Sequence, residues 1–451
     1  TGGIKMDTAI DKLAILTESN SLIEPELYDK YNVKRGLRNS NGTGVLVGLT
    51  KIGSVEGYKL IDDKKIPKEG KLFYRGINVE EIVDGFQKDN RMGFEETTYL
   101  LLFGKLPNKT ELDDFNKLLS EMRCLPKHFT ENMILKIPSS NIMNKLQRSV
   151  LVLYSSDDNP EDLSVRNVLK QSLNLIAKFP TIISYGYQAK SHYFYDNSLF
   201  IHSPRKDLST AENILHMIRP DSKYTKTEAE TLDLSLVLHA EHGGGNNSAF
   251  ATHVVSSSGT DTYSAIATAV GSLKGPKHGG ANLKVRDMVA DIKENVTNWS
   301  DKNLLKDYLV KILKKDAFDN SGLIYGMGHA VYTLSDPRAE LLKKKAKELA
   351  CEKDSLKEYE LYTNIEELSK EIYKTFKGED AVISANVDLY SGFVYELLNI
   401  PYDLYTALFA TSRISGWCAH RIEQIISDKK IMRPAYKSID KNINYVDLDS
   451  R

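Results

Sequence analysis

The sequence contains 451 residues, of which 41% are hydrophobic and 27% charged, as in ordinary globular proteins with one very large domain or two unequal ones. Its formal net charge of −1 gives no overall field that would attract nucleic acid or an anionic membrane. No apolar run reaches the roughly 18 residues that a membrane-spanning helix needs, so we expect neither a nucleic-acid-binding nor an integral membrane protein.

The three cysteines are widely spaced, at Cys124, Cys351 and Cys418, and none belongs to a CxxC pair. This spacing excludes a disulfide framework and a cysteine zinc site within the chain. It fits a reducing compartment, and we predict a cytoplasmic protein. Residues 1–5 precede Met6 and fit either an added segment or the product of processing.

The first predicted elements are strands. In the region Gly44–Ile77, alternation at Val45, Val47 and Leu49 is followed by the segments Tyr58–Ile61 and Leu72–Ile77. Alternation of this kind, with Gly and Asp between the segments, is typical of short strands. We therefore predict a small β meander near the N-terminus of an otherwise all-α protein.

Beyond this region the dominant period is helical. More buried helices are predicted at Glu228–His239 and Pro401–Gln424, and amphipathic helices at Lys302–Lys315 and Ala339–Ala350. The Glu- and Lys-rich segment Leu356–Lys377 predicts a surface helix with a solvated face.

Three breaks rich in glycine or small residues interrupt the helical pattern, at Gly275–Gly280, Gly322–His329 and Ser384–Gly392. Functional side chains are usually presented at such breaks.

A first cluster lies at Leu238–Ser248, where a helical pattern ends at three glycines with His242 in its last turn or just beyond. Taken alone, a capped helix with a core histidine explains it as well. His239 and His242 are three residues apart, but no HExxH pattern accompanies them, and we predict no metal site.

A second cluster holds His278 at a sharp turn between glycines, near the start of a helix. The helix dipole there favours a neutral imidazole, which donates a hydrogen bond to a developing enolate oxygen. The alternative is a turn histidine bonded to the backbone.

The third and fourth clusters supply an arginine and a carboxylate. His329 follows glycines, and Arg338 follows an Asp-Pro turn, where it would either fork two hydrogen bonds to a bound carboxylate or bond to Asp336. Asp388 lies in a weakly polar neighbourhood, where lost hydration would raise its pKa and make it a better base; the alternative is a helix cap.

Together the four clusters suit proton abstraction next to a carbonyl, followed by attack on a second, acidic carbonyl compound.

The sequence resembles the citrate synthase family from about Gly44 to Pro434. The matching motifs stand in family order: LFYRGI, HAEHGGGNNSAF, GPKHGGAN, GMGHAVYTLSDPR, SANVD, LFATSRISGW and MRP. His242 and His278 are 36 residues apart (278 − 242), the interval associated with the family. The resemblance implies an acyltransferase of the tricarboxylic acid cycle that joins the acetyl group of acetyl-CoA to oxaloacetate, with no cofactor beyond the coenzyme A thioester.

The resemblance also implies a role for each matching residue. Asp388 would remove a methyl proton from acetyl-CoA, His278 would stabilise the enol, and His329 would polarise the ketone of oxaloacetate. The substrate carboxylates would be held by His242, Arg338 and Arg413, and by Arg433 from the partner subunit of a homodimer.

The family fold implies a large helical domain, residues 6–279 and 396–451, and a small helical domain, residues 280–395, that closes over oxaloacetate. Gly279 and Gly280 are the predicted hinge. Thr333 stands where many members carry a basic residue for the CoA phosphates, and Met327 replaces a commonly aromatic residue.

Three other functions stay open. The run HAVYTLSDPR is also similar to the 2-methylcitrate synthase branch, which uses propionyl-CoA. A non-catalytic helical binding protein would be expected to lack one of His278, His329 and Asp388. A metal-dependent hydrolase would use His239 and His242 together with His278.

Overall fold

The computed structural model describes the backbone of residues 2–62, 64–378 and 380–451 and, in these ranges, the side chains from residue 10 onward. It forms two compact units, Thr1–Leu49 with Lys59–Ile66, and Thr50–Tyr58 with Pro67–Arg451. The predicted large domain, residues 6–279 and 396–451, and the predicted small domain, residues 280–395, lie mostly within the second unit. The division between them stays a prediction.

The first unit is helical along most of its N-terminal part. Helices α1 (Gly2–Ser21) and α2 (Pro25–Lys30) are followed by a 3-10 turn at Arg35–Leu37. An isolated bridge then pairs Arg38 with Gly44.

A three-stranded sheet confirms the predicted β meander. Its strands are β1 (Gly53–Ile61), β2 (Lys64–Tyr74) and β3 (Ile77–Asn78), in the order β1-β2-β3. Strands β2 and β3 pair antiparallel, with Tyr74 opposite Ile77. Arg75 and Gly76 between them both have positive φ, 51° and 86°, as a type I′ hairpin turn requires.

The predicted strand at Val45, Val47 and Leu49 is wrong. Residues 45–50 are irregular, and Leu46 and Leu49 are 84% and 91% exposed. Alternation produces a strand only where a partner strand and a buried face are available, and the described residues provide neither for this segment.

The second unit is helical beyond the sheet. Its helices in chain order are α3 (Val79–Lys88), α4 (Phe94–Phe103), α5 (Lys109–Met122), α6 (Ile142–Leu153), α7 (Val165–Tyr195), α8 (Thr210–Ile218), α9 (Lys226–His239), α10 (Asn247–Ser256), α11 (Thr262–Lys274), α12 (Pro276–Gly279), α13 (Ala281–Asn295), α14 (Lys302–Leu313), α15 (Pro337–Glu352), α16 (Leu356–Lys377), α17 (Val387–Leu397) and α18 (Tyr405–Ser427). A π-helical turn at Thr130–Leu135 and 3-10 turns at Tyr154–Ser156, Tyr402–Leu404 and Leu448–Ser450 complete the elements.

The five helices predicted from sequence periodicity are confirmed as α9, α14, α15, α16 and α18, with boundary differences of a few residues. Helix α18 begins at Tyr405 rather than at Pro401, after a 3-10 turn. Helix α16 buries one face, including Leu361 and Ile365, and exposes the rest to solvent, as predicted.

Helix α18 is the centre of the core. It packs against α4, α7, α9, α10 and α11 and is buried along most of its length. A Cβ at Gly416 would lie 2.6 Å from the carbonyl oxygen of Ala240, so only glycine allows α18 to approach the end of α9 so closely. This approach positions Arg413, one turn earlier, against the same helix end.

Two further predictions can be compared with the structure. In the described ranges no helix is both long enough and apolar enough to cross a membrane. Cys124, Cys351 and Cys418 are all free thiols.

Candidate active site

His242 lies just beyond the end of α9, in the turn that Gly243 makes with a positive φ of 82°. Its ring centroid lies 5.2 Å from that of His329 and 5.6 Å from that of Tyr332. Burial, followed by the positive charge of Arg338, lowers the pKa of His242 well below its usual value. Its Nε2 has no hydrogen-bond partner in the described part of the chain, so a neutral imidazole has one ring nitrogen left for a small molecule.

His278 lies on the single helical turn α12, directly ahead of α13, as its sequence context predicts. Its Nε2 lies 2.9 Å from the hydroxyl oxygen of Ser248, which orients the ring, and its edge faces Phe409. Burial, followed by the charge of Arg413, lowers the pKa of His278 to about 4. The ring is therefore neutral at neutral pH and suited to donating a hydrogen bond.

The glycines after His278 have a packing role. A Cβ at Gly279 would lie 2.1 Å from the carbonyl oxygen of Leu273, and one at Gly280 would lie 2.7 Å from that of Pro276. Close backbone approach therefore explains both glycines, and their role as a hinge stays a prediction.

His329 lies in an irregular loop in which Gly326 and Gly328 have positive φ, 83° and 89°. Its Nδ1 accepts the backbone N–H groups of Val331 at 3.0 Å and of Tyr332 at 3.1 Å. Because Nδ1 accepts, the proton of the neutral ring lies on Nε2. The loop thus fixes one tautomer of His329, with an N–H donor on Nε2.

Asn386 connects the His329 loop to the helix that carries Asp388. Its backbone N–H donates to the carbonyl of Gly326 at 2.9 Å, and its side-chain amide donates to the carbonyl of Gly328, also at 2.9 Å. Its Oδ1 accepts the N–H of Asp388 at 3.0 Å and so caps α17. One asparagine therefore fixes both segments.

Asp388 occupies the first turn of α17. The predicted break at Ser384–Gly392 is wrong in its second half, because the Asn386 cap starts the helix at Val387. Burial raises the pKa of Asp388 to about 6, although Arg338 and Arg413 oppose the rise. The rise has the direction expected from its sequence context.

Arg338 is 4% exposed and forms a two-pronged ion pair with Asp336, at 3.0 Å from Nε and 2.7 Å from Nη2. Burial alone would lower the pKa of Arg338, but the Asp336 carboxylate outweighs it and raises the pKa above its usual value. Its guanidinium also lies 5.5 Å from the ring centroid of Tyr332. The bond to Asp336, one of the two contacts expected for Arg338, is therefore confirmed, and the contact with a substrate carboxylate stays a prediction.

Arg413 is 1% exposed, and its Nε donates to the carbonyl of His239. Its guanidinium stacks over Phe409 at 4.7 Å. In the described part of the chain, neither terminal nitrogen, Nη1 nor Nη2, has an acceptor. Burial lowers the pKa of Arg413 to about 10, with Glu241 opposing the shift, so the group stays charged at neutral pH.

Six of the seven predicted site residues therefore belong to one region, in which the two arginines are buried and the other four residues are half-buried. Ring contacts and the charges of Arg338 and Arg413 connect them. Arg433 is exposed within the single chain. It follows Met432, whose backbone N–H donates to Ser257 at 3.0 Å.

Three further residues were given no role in the sequence-based assignment: Ser248, Tyr332 and Asn386. All three lie inside the quoted motifs, so the signal was present, but only the fold shows what each contacts. Tyr332 adds a buried hydroxyl without a hydrogen-bond partner in the described ranges.

The loop that carries His329 docks on the hairpin of β1 and β2. The hydroxyl oxygen of Thr333 accepts the N–H of Lys68 at 3.2 Å and lies within hydrogen-bond reach of the carbonyls of Gly57 and Lys68. A Cβ at Gly57 would lie 2.4 Å from the Val331 oxygen. Thr333, noted as a departure from the family, thus secures the loop.

The histidines of the hydrolase alternative do not form a metal triad. His239 bonds through Nδ1 to the carbonyl of Ser235 at 2.8 Å, and His278 bonds through Nε2 to Ser248. Within the described ranges, the cluster with metal-ligand spacing consists of other residues, His253, His420 and Glu423.

Comparison with known proteins identifies the family of the chain. The family described as "Citrate synthase, C-terminal domain" matches residues 40–435. Citrate synthase of Haloferax volcanii is 32% identical over 93% of this chain and 99% of its own length. The 2-methylcitrate synthase 1 of Corynebacterium glutamicum is 31% identical over 86% of this chain and 94% of its own.

Solved structures of citrate synthases also match the chain. The ternary complex of carboxymethyl coenzyme A and oxaloacetate with citrate synthase from Thermoplasma acidophilum matches with a TM-score of 0.74 and 26% identity, over 92% of this chain and 99% of that one. Citrate synthase from Thermotoga maritima matches with a TM-score of 0.70 and 30% identity, over 93% and 99%. The chain belongs to the citrate synthase family.

Proposed function

We propose that the chain condenses acetyl-CoA with oxaloacetate and water to give citrate and CoA. The observation that carries this proposal is the buried guanidinium of Arg413, whose two terminal nitrogens have no acceptor among the described residues. A buried, unpaired cation favours an anionic ligand, and its planar fork matches a carboxylate. The Thermoplasma relative is known in a complex with oxaloacetate and a coenzyme A analogue, which supports the same substrates here.

The first chemical step is removal of a methyl proton from the thioester by Asp388. The C–H bonding pair becomes the carbon–carbon double bond of an enolate, and negative charge moves to the thioester oxygen, to which His278 donates a hydrogen bond. A thioester methyl is a weak acid, so an oriented oxyanion donor is needed, and one such donor contributes about 2.7–4 kcal/mol. The raised pKa of Asp388 and the lowered pKa of His278 suit these roles.

The second step forms the carbon–carbon bond. The enolate carbon attacks the ketone carbon of oxaloacetate, the thioester carbonyl re-forms, and the ketone oxygen takes a proton from Nε2 of His329, whose tautomer the loop fixes. His242, Arg338 and Arg413 hold the carboxylates of oxaloacetate. Arg338 keeps one nitrogen, Nη1, outside its two-pronged bond to Asp336, and this nitrogen is available to the substrate.

The third step is hydrolysis of the citryl-CoA thioester. Water adds to the thioester carbonyl, the carbon–sulfur bond breaks, and citrate and CoA leave. Premature hydrolysis of acetyl-CoA is avoided only if water is excluded until the condensation is complete, which is the role that we propose for closure of residues 280–395.

The direct test is release of free thiol from acetyl-CoA and from propionyl-CoA, each with and without oxaloacetate, with the product identified by mass spectrometry. We expect oxaloacetate-dependent release from acetyl-CoA with citrate as product. Preferential use of propionyl-CoA would instead assign 2-methylcitrate synthase, which the Corynebacterium relative supports. Absence of oxaloacetate-dependent release with either donor would reject both and favour a binding protein on this fold.

Two variants test the roles within this assay. Asp388→Asn and His278→Ala should each lower kcat about 100-fold or more, with oxaloacetate affinity little changed. A large loss of oxaloacetate binding in His278→Ala, with near-normal turnover, would contradict its role as oxyanion donor.

We also propose a homodimer in which Arg433 completes the partner's site. Arg433→Leu and Asp388→Asn would each be inactive alone. Mixing them under conditions of subunit exchange should restore activity, because one site of each mixed dimer contains both native residues. Lack of recovery in a mixture shown to contain mixed dimers would mean that Arg433 acts within its own subunit or not at all.

A further inference from the structure

A second buried polar cluster lies between α10 and α18, on residues without a role in the proposed reaction. His253 is on α10, and His420 and Glu423 are on α18. The Nε2 of His253 lies 3.1 Å from the Nδ1 of His420, which lies 3.9 Å from the Oε2 of Glu423. All three atoms lie within 4.8 Å of one another.

The neighbours of the two imidazoles determine where their protons are. The amide nitrogen of Gln424 donates to the carbonyl of Asp428 at 3.1 Å, so its Oε1 is the atom that lies 2.8 Å from Nδ1 of His253. Nδ1 of His253 is therefore a donor. Nε2 of His420 lies 3.0 Å from a carboxylate oxygen of Glu241 and is likewise a donor.

Two neutral imidazoles in this arrangement direct lone pairs at each other, from Nε2 of His253 and Nδ1 of His420. At 3.1 Å this contact is repulsive unless a positive charge lies between the two nitrogens. Glu423 adds an oxygen to the same space, and this Oε2 accepts no hydrogen bond from the described residues. Its other oxygen accepts the N–H of Lys51 at 2.6 Å, which holds the carboxylate in place.

We propose that His253, His420 and Glu423 bind a divalent transition-metal ion, with Zn²⁺ as the best match. Ligands about 2.0–2.1 Å from a tetrahedral zinc lie roughly 3.3 Å from one another. The two ring nitrogens, 3.1 Å apart, are close to this separation, and the carboxylate oxygen of Glu423, 3.9 Å from Nδ1 of His420, would move closer on binding. Imidazole and carboxylate are both established zinc ligands, and water supplies the fourth position. This assignment departs from the absence of metal expected from the sequence.

The surroundings have the second layer of hydrogen bonds that metal sites need. Each ligand histidine donates its other ring N–H, one to Glu241 and one to the amide of Gln424, and these contacts orient the rings toward the metal. The backbone at Gly244 lies close to both rings, because a Cβ there would be in ordinary contact with Cε1 of His420 at 3.5 Å and with Nε2 of His253 at 3.6 Å.

The ion would have a structural role. It would crosslink α10 to α18, and through Glu241 it would stabilise the turn that carries His242. None of its three ligands is a proposed catalytic or substrate-binding residue. The inference is therefore independent of the proposed reaction.

The test uses the full-length chain, freed of metal by chelator, and Co²⁺ as a spectroscopic substitute for Zn²⁺. We expect uptake of about one Co²⁺ per chain with the visible absorption of a tetrahedral site, displacement of Co²⁺ by Zn²⁺, and a higher Tm with either ion. His253→Gln should abolish the absorption, and Glu423→Gln should weaken Co²⁺ binding at least about tenfold.

His202→Gln is a matched control. His202 and His216 also form a close pair, with ring centroids 5.6 Å apart, but their Nε2 atoms lie 3.0 and 3.2 Å from backbone carbonyls. This variant should bind Co²⁺ as the wild type does. If His253→Gln fails to fold, the partly exposed Glu423 still provides a test through Glu423→Gln. Two outcomes would overturn the proposal. One is the absence of tetrahedral Co²⁺ absorption in the wild type, which would mean that a proton lies between the two rings. The other is Co²⁺ binding that is unchanged in both ligand variants.

Discussion

The two buried arginines of the site, Arg338 and Arg413, are nearly equal in burial and opposite in pairing. Arg338 is held by both oxygens of Asp336, and its pKa is raised. Among the described residues, Arg413 bonds to a backbone carbonyl through Nε and to no other acceptor, and burial lowers its pKa to about 10. The first charge is neutralised by the protein itself, whereas the second has no carboxylate bonded to it in the same part of the chain.

The difference indicates a division of labour. A paired arginine stabilises the fold around it, because either partner alone would be a buried unpaired charge. An unpaired buried arginine reduces stability and is tolerated where it binds a ligand. We therefore expect the same substitution at the two positions to have different effects.

The largest expected effect is on stability. Arg338→Met should lower the free energy of unfolding by about 3–5 kcal/mol, because Asp336 is left buried without its cation. Urea denaturation followed by circular dichroism measures this loss. Arg338→Met combined with Asp336→Asn should recover part of it, and a loss below about 1 kcal/mol in the single variant would contradict the role of the pair.

The next effect is on binding. Arg413→Met should weaken oxaloacetate binding about 100-fold, because up to two charge-assisted hydrogen bonds are lost, each typically worth about 1.5–3 kcal/mol. Its stability should stay near that of the wild type, since a buried unpaired charge has been removed. Isothermal titration calorimetry measures the loss of oxaloacetate binding, and thermal unfolding measures the stability. Destabilisation as large as that of Arg338→Met would remove the distinction between the arginines.

The third effect is on pH dependence. The proposed base Asp388 would act only when ionised, and its pKa is raised to about 6, so kcat/KM should fall about tenfold per pH unit below that value. His278, with its pKa lowered to about 4, stays neutral through most of this range. Arg413 lowers the pKa of Asp388, so Arg413→Met should move the acidic limb to higher pH. An acidic limb that is unmoved in Arg413→Met would mean that another group titrates.

The smallest effect concerns the loop that leads to Arg338. Thr333→Val removes the hydroxyl that docks this loop on the hairpin and should lower stability by about 1 kcal/mol. Thr363→Val is the matched control, at a half-buried position of α16 where the hydroxyl donates to the carbonyl of Glu360 in the same helix, and it should change stability by less than about 0.5 kcal/mol. Equal effects of the two substitutions would show that Thr333 does not secure the loop.

The sequence predicted the helical fold and the position of the sheet because both depend on local periodicity. The error at Val45–Leu49 has a physical cause: alternation is a local property, whereas a strand also needs a partner and a core. The error at Ser384–Gly392 is of another kind. The motif SANVD contains both the end of an irregular segment and the start of a helix. The Asn386 cap, rather than Gly392, determines where α17 begins.

The sequence predicted which residues belong to the candidate site, but not how they contact one another. The motifs supplied the histidines, the arginines and Asp388, but not which arginine is already paired or which nitrogen of His329 carries the proton. Those properties depend on contacts across the fold, such as Asp336 with Arg338 and the amides of Val331 and Tyr332 with His329. The cluster of His253, His420 and Glu423 was missed because its members are up to 170 residues apart (423 − 253) and match no short metal motif.

The two backbone amides on Nδ1 of His329 have a chemical consequence beyond orientation. An imidazole beside an activated acyl group is normally a nucleophile, and its free nitrogen would take the acyl group to form an acyl-imidazole. In His329 one nitrogen shares its lone pair with two N–H groups and the other carries the proton. The ring can therefore donate to a substrate oxygen while having no electron pair free for self-acylation, so a histidine can lie beside a proposed thioester substrate without consuming it.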